Sequence, residues 1–215
     1  MGAYKLSLQG INVVGIPGTI DRDIACTEYT IGFDTAVNVA YDAICCLRDT
    51  SGSHERCSVV EVMGRNCGEI AIWSGIATGA DYIMIPEDPE SHKVENVIET
   101  VLANRKRGKN HNIIIVAEGV GGSQELAKKI QEATGIESRA TILGHVQRGG
   151  NPTVLDRTVA SKMGCYAVDL LKQGIGNRVL AIKDNDVVDY DIMEALKMKK
   201  SLDKTLYEIA DRISF

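Results

Sequence analysis

Residues 112–117, NIIIVA, form an unbroken apolar run rather than an alternation. A run of that length without polar relief fits a parallel strand covered on both faces. Such a strand needs neighbours in its sheet and a layer on each side, and the rest of the chain supplies both. Residues 12–17 (NVVGIP), 57–63 (CSVVEVM), 82–86 (YIMIP), 138–143 and 178–182 (RVLAI) read as further strands. Between them lie segments of helical period. In 31–48, Val37, Tyr41, Ile44 and Leu47 share a face, and helices are also expected over 68–78 (ending at Gly79), 93–107, 123–134 and 153–173. Two short helices should close the chain. Strands alternating with helices imply a layered α/β fold with a parallel sheet. There are no repeats, low-complexity tracts or linkers, so a division into lobes is not legible in composition.

Composition excludes some functions. Lys and Arg number 24 against 29 Asp and Glu, a formal charge of −5. No cationic excess exists to neutralise a phosphate backbone, so no nucleic-acid partner is expected. No segment reaches the roughly 18 consecutive apolar residues that a membrane span requires, so no membrane association is expected. MGAYKLSLQG has neither the cationic nor the apolar region of a secretory signal. The six cysteines, at 26, 45, 46, 57, 67 and 165, make no CxxC pair. They read as reduced thiols, which places the protein in the cytoplasm.

In open α/β sheets, ligands bind beyond the carboxyl ends of the strands. The residues that follow the predicted strands are therefore the candidates. After 12–17 comes GTIDRDI, with Thr19, Asp21 and Asp23; after 57–63 comes Gly64-Arg65; after 112–117 comes Glu118-Gly119; after 138–143 comes GHVQRGG, with His145 and Arg148. Each tip sets a charged residue beside a glycine, which allows close backbone approach to a ligand. Arg65, His145 and Arg148 suit a bound phosphate, because guanidinium groups pair with its oxygens in a bidentate fashion. Asp21 and Asp23 suit a proton acceptor and a magnesium contact. Together these groups suggest phosphoryl transfer. The alternative is that Asp21, Arg22 and Asp23 form a local salt-bridged turn without chemistry. There is no Walker A sequence and no GxGxxG; GVGG at 119–122 reads as a turn into a helix.

PGTIDRDI, TIGFDTA, SHER, EVMGR, VAEGV and LGHVQRGGNPTVLDR occur in that order over nearly the whole chain. In these blocks the sequence resembles the ATP-dependent 6-phosphofructokinase family of bacterial type. The resemblance implies a two-lobed phosphofructokinase-like fold. It also implies transfer of the ATP γ-phosphoryl to the 1-hydroxyl of fructose 6-phosphate, with Mg2+, in glycolysis. Asp21 would be the catalytic base. Thr19 and Arg65 would contact the transferring phosphoryl group, and Asp23 would reach the magnesium. Met63, Gly64 and Glu118 would cradle the sugar, and His145 and Arg148 would hold its 6-phosphate. Arg56 and Arg139 match arginines that reach a neighbouring subunit's sugar site, so a homo-oligomer, a tetramer in the family, is implied. Arg48, Asp81, Arg107 and Lys109 match part of an allosteric effector site. For Arg107 and Lys109 a solvated helix end serves equally well. Gly18 resembles the ATP users, since pyrophosphate-using relatives carry a lysine there.

Two departures accompany the resemblance. The family has an N-terminal segment with glycine-rich nucleotide-binding loops that this chain lacks. The chain is thus expected to be a fragment, with one lobe incomplete. Residues 1–32 and 152–200 would be the remnant of the nucleotide-side lobe, and 33–151 with 201–215 the sugar-phosphate-side lobe. Alone it should bind fructose 6-phosphate weakly and turn over ATP negligibly. The second departure is Arg22, which stands where the family usually has asparagine. Its guanidinium would lower the pKa of Asp21 if it lay alongside, or would instead turn away and pair with Glu28. These departures leave open a non-catalytic sugar-phosphate-binding or regulatory subunit of a phosphofructokinase complex; a pyrophosphate-dependent phosphofructokinase is the weaker alternative, opposed by Gly18.

Overall fold

A computed structural model describes residues 2–200 and 202–213. Met1, Ser201, Ser214 and Phe215, which belong to the expected lobe ranges, lie outside the described residues. In chain order the elements are α1 (Gly2–Ser7), β1 (Val14–Gly15), α2 (Phe33–His54), β2 (Cys57–Val62), α3 (Glu69–Thr78), β3 (Tyr82–Met84), α4 (Val94–Lys106), β4 (Asn112–Ala117), α5 (Ser123–Thr134), β5 (Ser138–Ile142), α6 (Val154–Lys172), β6 (Arg178–Lys183), β7 (Asp186–Asp191), α7 (Ile192–Lys197) and α8 (Lys204–Ile213). Short 3-10 turns cover Pro89–His92 and Gly144–Arg148. The chain divides into two compact units, Met1–Thr35 with Asn151–Ser201, and Ala36–Gly150 with Leu202–Phe215.

The larger unit is built on a four-stranded sheet of order β3-β4-β2-β5, every pair parallel. The apolar run at 112–117 is its inner strand β4, buried at every position. Ile114 and Val116 project to one face, where they pack with Val59 of β2, Val97 and Val101 of α4, and Leu126 and Ile130 of α5. All of these side chains are at most 5% exposed. Each such side chain contributes about 1.5–3 kcal/mol by leaving water, so this cluster anchors the unit. Helix α3 ends where expected, with Gly79 in the left-handed conformation.

The smaller unit departs from the expected pattern. Its sheet has the order β1-β6-β7, with β1 parallel to β6 but β6 antiparallel to β7. The parallel sheet expected from the sequence is therefore realised in the larger unit, while this one is mixed. Strand β7 was not anticipated. Asp184 and Asn185 both take positive φ (50° and 68°) between the paired residues Lys183 and Asp186. Two left-handed residues in a two-residue loop match the twist of a β-hairpin, and Asp-Asn is the signal that could have revealed it. Of the expected strand 12–17 only Val14–Gly15 pairs. The short helix α1 was also unexpected, and α2 runs six residues beyond its expected end at 48. Val159, Met163, Ala167 and Leu170 of α6 pack against Leu180 and Ile182 of β6. Among the described residues, no helix is long and apolar enough to cross a membrane.

Candidate active site

Three of the four candidate strand tips belong to adjacent strands of the larger unit's sheet, in the order β4-β2-β5. Because the strands are parallel, their carboxyl ends share one edge. The β2 tip carries Met63, Gly64 and Arg65, the β4 tip Glu118 and Gly119, and the β5 tip the 3-10 turn with His145 and Arg148. Arg65, His145, Arg148 and Glu118 are exposed, whereas Met63 and Gly64 are buried. The edge thus offers two guanidinium groups and an imidazole beside one carboxylate, a balance that favours an anionic ligand.

The tips are interlocked. The Glu118 amide donates to the Val62 carbonyl at 2.8 Å, continuing the ladder one residue past the strand. The Glu118 carboxylate (Oε2) accepts from the amides of Gly64 (3.3 Å) and Arg65 (3.0 Å). Gly64 has φ +145° and Arg65 φ +53°. Side-chain-bearing residues rarely adopt this region, so the turn at Arg65 holds strain that its surroundings must fix. Gly119 permits the closeness: a Cβ there would lie 2.3 Å from the Arg65 carbonyl oxygen and 2.7 Å from Pro86 Cγ. Gly119→Ala should therefore destabilise the protein by about 1–3 kcal/mol through overpacking against backbone. The urea midpoint should fall accordingly; an unaltered midpoint would show that the two tips are not held this close.

The fourth tip follows β1 in the smaller unit. Asp21 is buried and 4% exposed, Thr19 is half-buried, and Asp23 is exposed. The Asp21 amide donates to Thr19 Oγ1 at 3.2 Å, which ties the loop to itself. Arg22, at φ 52°, directs Nε to the Glu28 carbonyl at 2.7 Å and lays its guanidinium over the Phe33 ring at 5.2 Å. It thus goes to the backbone of Glu28, while the Glu28 carboxylate accepts from the Asp184 amide.

The segment that follows this loop is anchored by a residue that sequence reading did not single out. Asp156, 2% exposed in the first turn of α6, accepts hydrogen bonds from the Tyr29 hydroxyl (2.7 Å), the Gly32 amide (2.6 Å), the Thr35 amide (2.9 Å) and the Thr35 hydroxyl. Burial would raise its carboxyl pKa, but these donors outweigh that and hold it below the ordinary value. An acidic residue three positions after the N-capping Thr153 looks in sequence like an ordinary complement to the helix dipole. Nothing local reveals that it faces Tyr29, Gly32 and Thr35.

Other candidates lie at the opposite edge of the larger sheet. Arg56 immediately precedes β2, and Arg139 stands beside Ser58 at the start of β5. Glu137 joins them, at 2.8 Å from Arg56 Nε and 2.7 Å from Arg139 Nη2. Those two guanidinium groups, Arg56 foremost, hold the Glu137 carboxyl below its usual value. Asp81, ahead of β3, is buried and accepts from Asn104 Nδ2 (2.6 Å), Lys109 Nζ (2.6 Å) and the Ile113 amide (2.9 Å). Arg48 donates to the Thr78 carbonyl, and Arg107 is exposed at the end of α4. The structure therefore brings Asp81 and Lys109 together and keeps Arg56, Arg139 and Asp81 away from the edge that carries Arg65.

Among the described residues, no group of three or more His, Cys, Asp or Glu side chains is placed to hold a metal ion. The only acidic pair in the candidate tips is Asp21 and Asp23. Mg2+ characteristically takes one or two carboxylates and completes its octahedron with phosphate oxygens and water, so the donor set fits Mg2+ delivered with a polyphosphate.

A family model described as phosphofructokinase matches residues 1–171. ATP-dependent 6-phosphofructokinase 1 of Clostridium perfringens (strain 13 / Type A) is 56% identical over 214 residues, covering 100% of this chain and 66% of its own length. ATP-dependent 6-phosphofructokinase of Clostridium botulinum (strain Loch Maree / Type A3) is 55% identical over 213 residues, covering 99% of this chain and 66% of its own. The chain spans 66% of the length of these relatives. Among solved structures, phosphofructokinase from Saccharomyces cerevisiae superposes with a TM-score of 0.84 at 35% identity, over 95% of this chain and 28% of that one. A pyrophosphate-dependent phosphofructokinase from Marinobacter aquaeolei gives 0.79 at 22% identity, over 93% of this chain and 57% of that one, a likeness of fold.

Proposed function

Since this chain belongs to the phosphofructokinase family, we propose that its protein transfers the γ-phosphoryl group of ATP to the 1-hydroxyl of fructose 6-phosphate, a glycolytic reaction of the cytoplasm. The observation that carries this reading is the shared edge of β4, β2 and β5, where Arg65, His145 and Arg148 stand exposed around a turn pinned by Glu118. A 6-phosphate is nearly dianionic, and fixed cations beside an ordered backbone are what it requires. ATP as donor is supported by Gly18 ahead of Thr19 and by the names of the clostridial relatives.

Roles follow from chemistry. Asp21 accepts the proton of the 1-hydroxyl as its oxygen attacks phosphorus, and Thr19 and Arg65 steady the transferring group. His145 and Arg148 bind the 6-phosphate, and Met63, Gly64 and Glu118 face the sugar. Asp23 would hold Mg2+ with the nucleotide phosphates; when bound, the ion neutralises charge on the transferring phosphoryl group. The placement of Arg56 and Arg139 at the far edge of the sheet, bundled by Glu137, supports their serving the sugar site of a neighbouring subunit in a homo-oligomer such as a tetramer. Arg48, Asp81, Arg107 and Lys109 we assign to an effector site at that same far edge; the Lys109–Asp81 pair would have to open for either to meet a ligand.

The test is a substitution with a directional result. In the full-length protein, Arg148→Ala should raise the KM for fructose 6-phosphate by about 10- to 100-fold, since hydrogen bonds to a charged group contribute about 1.5–3 kcal/mol. The KM for ATP should stay within about twofold. An unchanged sugar KM, or an equal rise in both constants, would remove Arg148 from the 6-phosphate and with it the main support for the reading.

A further inference from the structure

We propose that Gln147 is a positioning residue that locks the strained turn bearing Arg65 to the turn bearing His145 and Arg148. The inference rests on the fructose 6-phosphate site proposed above and gives it a mechanical basis.

Gln147 lies between His145 and Arg148 in sequence, yet those two are exposed and it is 1% exposed. Its Oε1 accepts the Met63 amide at 2.7 Å, across 84 residues of sequence. This contact fixes which end of the side-chain amide is oxygen, because the Met63 N–H can only donate. Met63 is the first residue past β2, beyond the strand's own ladder. The next two amides, of Gly64 and Arg65, go to Glu118. Three successive N–H groups of one turn are thus taken by side chains from the two flanking strand tips, the first from the β5 side and the others from the β4 side. The backbone needs such restraint, because Gly64 and Arg65 both hold positive φ.

A stability role alone does not account for Gln147. Its Nε2 is buried without a hydrogen-bond partner among the described residues. An orphaned buried donor costs about 1–3 kcal/mol, so the side chain is a poor choice for stability and a good one for geometry. Removing its oxygen frees Met63, and Arg65 can then drift relative to His145 and Arg148. A guanidinium displaced by about an ångström loses bidentate alignment with a phosphoryl group.

The test uses amide hydrogen exchange in this chain and in Gln147→Met, which keeps the volume and removes the acceptor. Exchange at Met63, Gly64 and Arg65 should accelerate about tenfold or more, while Val59, Val60, Ile114 and Ile115 keep their rates. Gln147→Glu retains an acceptor oxygen and should restore slow exchange at Met63. Equal rates at the three amides in wild type and Gln147→Met would overturn the proposal, as would acceleration spread evenly over β2 and β4. If Gln147→Met does not fold, the wild-type rates decide: Met63 must be protected like a strand amide, and fast exchange there refutes the lock. Calorimetric titration of the full-length protein, wild type and variants, with fructose 6-phosphate adds the functional readout. Affinity should fall about tenfold in Gln147→Met and recover in Gln147→Glu. A folded Gln147→Met with faster exchange but undiminished affinity would refute positioning of the substrate site. No binding by wild type, with the exchange result as expected, would remove the substrate reading and leave the lock between the turns.

Discussion

Asp21→Asn in the full-length protein should lower kcat for fructose 1,6-bisphosphate formation by about 100- to 10,000-fold, the range for loss of a positioned general base. The amide keeps the carboxylate's size but cannot take the proton of the 1-hydroxyl at neutral pH. Asp21 is 4% exposed on a loop whose shape is set by the Asp21 amide on Thr19 Oγ1 and by Arg22 reaching the Glu28 carbonyl. The substitution therefore leaves those two bonds in place, and the sugar KM should shift by no more than a few-fold. Steady-state kinetics separates the two parameters. A kcat within threefold of wild type would end the assignment of Asp21 as base. A matching loss in Tm would instead make it a structural carboxylate.

Asp156→Ala should cost about 3 kcal/mol or more, the largest stability loss expected from a single polar side chain here. It removes the acceptor from four donors at once, the Tyr29 and Thr35 hydroxyls and the Gly32 and Thr35 amides. Those groups lie where α6 meets the segment that follows the Thr19–Asp23 loop, so their release should loosen that loop before the β6–β7 hairpin. The pH dependence has a definite sign. Desolvation pushes the Asp156 carboxyl up, the hydrogen bonds push it down further, and the folded-state pKa ends below the ordinary 3.8. Its stabilisation is therefore complete above the unfolded-state pKa and is lost as pH falls through the folded one. Chemical denaturation should show the gap between wild type and Asp156→Ala widest near neutrality and shrinking below about pH 4. A gap that stays constant down to pH 2 would mean that the carboxylate charge contributes nothing.

The two missed site residues share one cause. Gln147 and Asp156 both sit in segments that sequence reading had already marked, GHVQRGG and PTVLDR. Their neighbours His145 and Arg148 carry charge, which announces itself as ligand chemistry. An internal glutamine and a first-turn aspartate have ordinary local explanations. What sets them apart is the identity of residues 84 and 121 to 127 positions away in the chain. Arg22 was ambiguous for a related reason: Glu28 was a visible partner, but the choice between its carboxylate and its carbonyl, and the Phe33 ring beneath, depends on a turn at positive φ. The β6–β7 hairpin was legible in principle, since Asp184-Asn185 is a turn signal.

Periodicity and burial demand were sufficient, from the residues alone, to establish the alternating helices and strands of the larger unit, its inner strand at 112–117 and the glycine-bearing tips that follow β2, β4 and β5. These are properties of neighbours along the chain, where a run of apolar side chains has few ways to leave water. Tertiary structure alone decided the strand order that places those three tips on one edge and Arg56 with Arg139 on the other. It also decided which side-chain oxygen receives each amide of the Met63–Arg65 turn. The physical reason is that a parallel sheet joins strands far apart in sequence, and hydrogen bonds between their ends are chosen by distance in space.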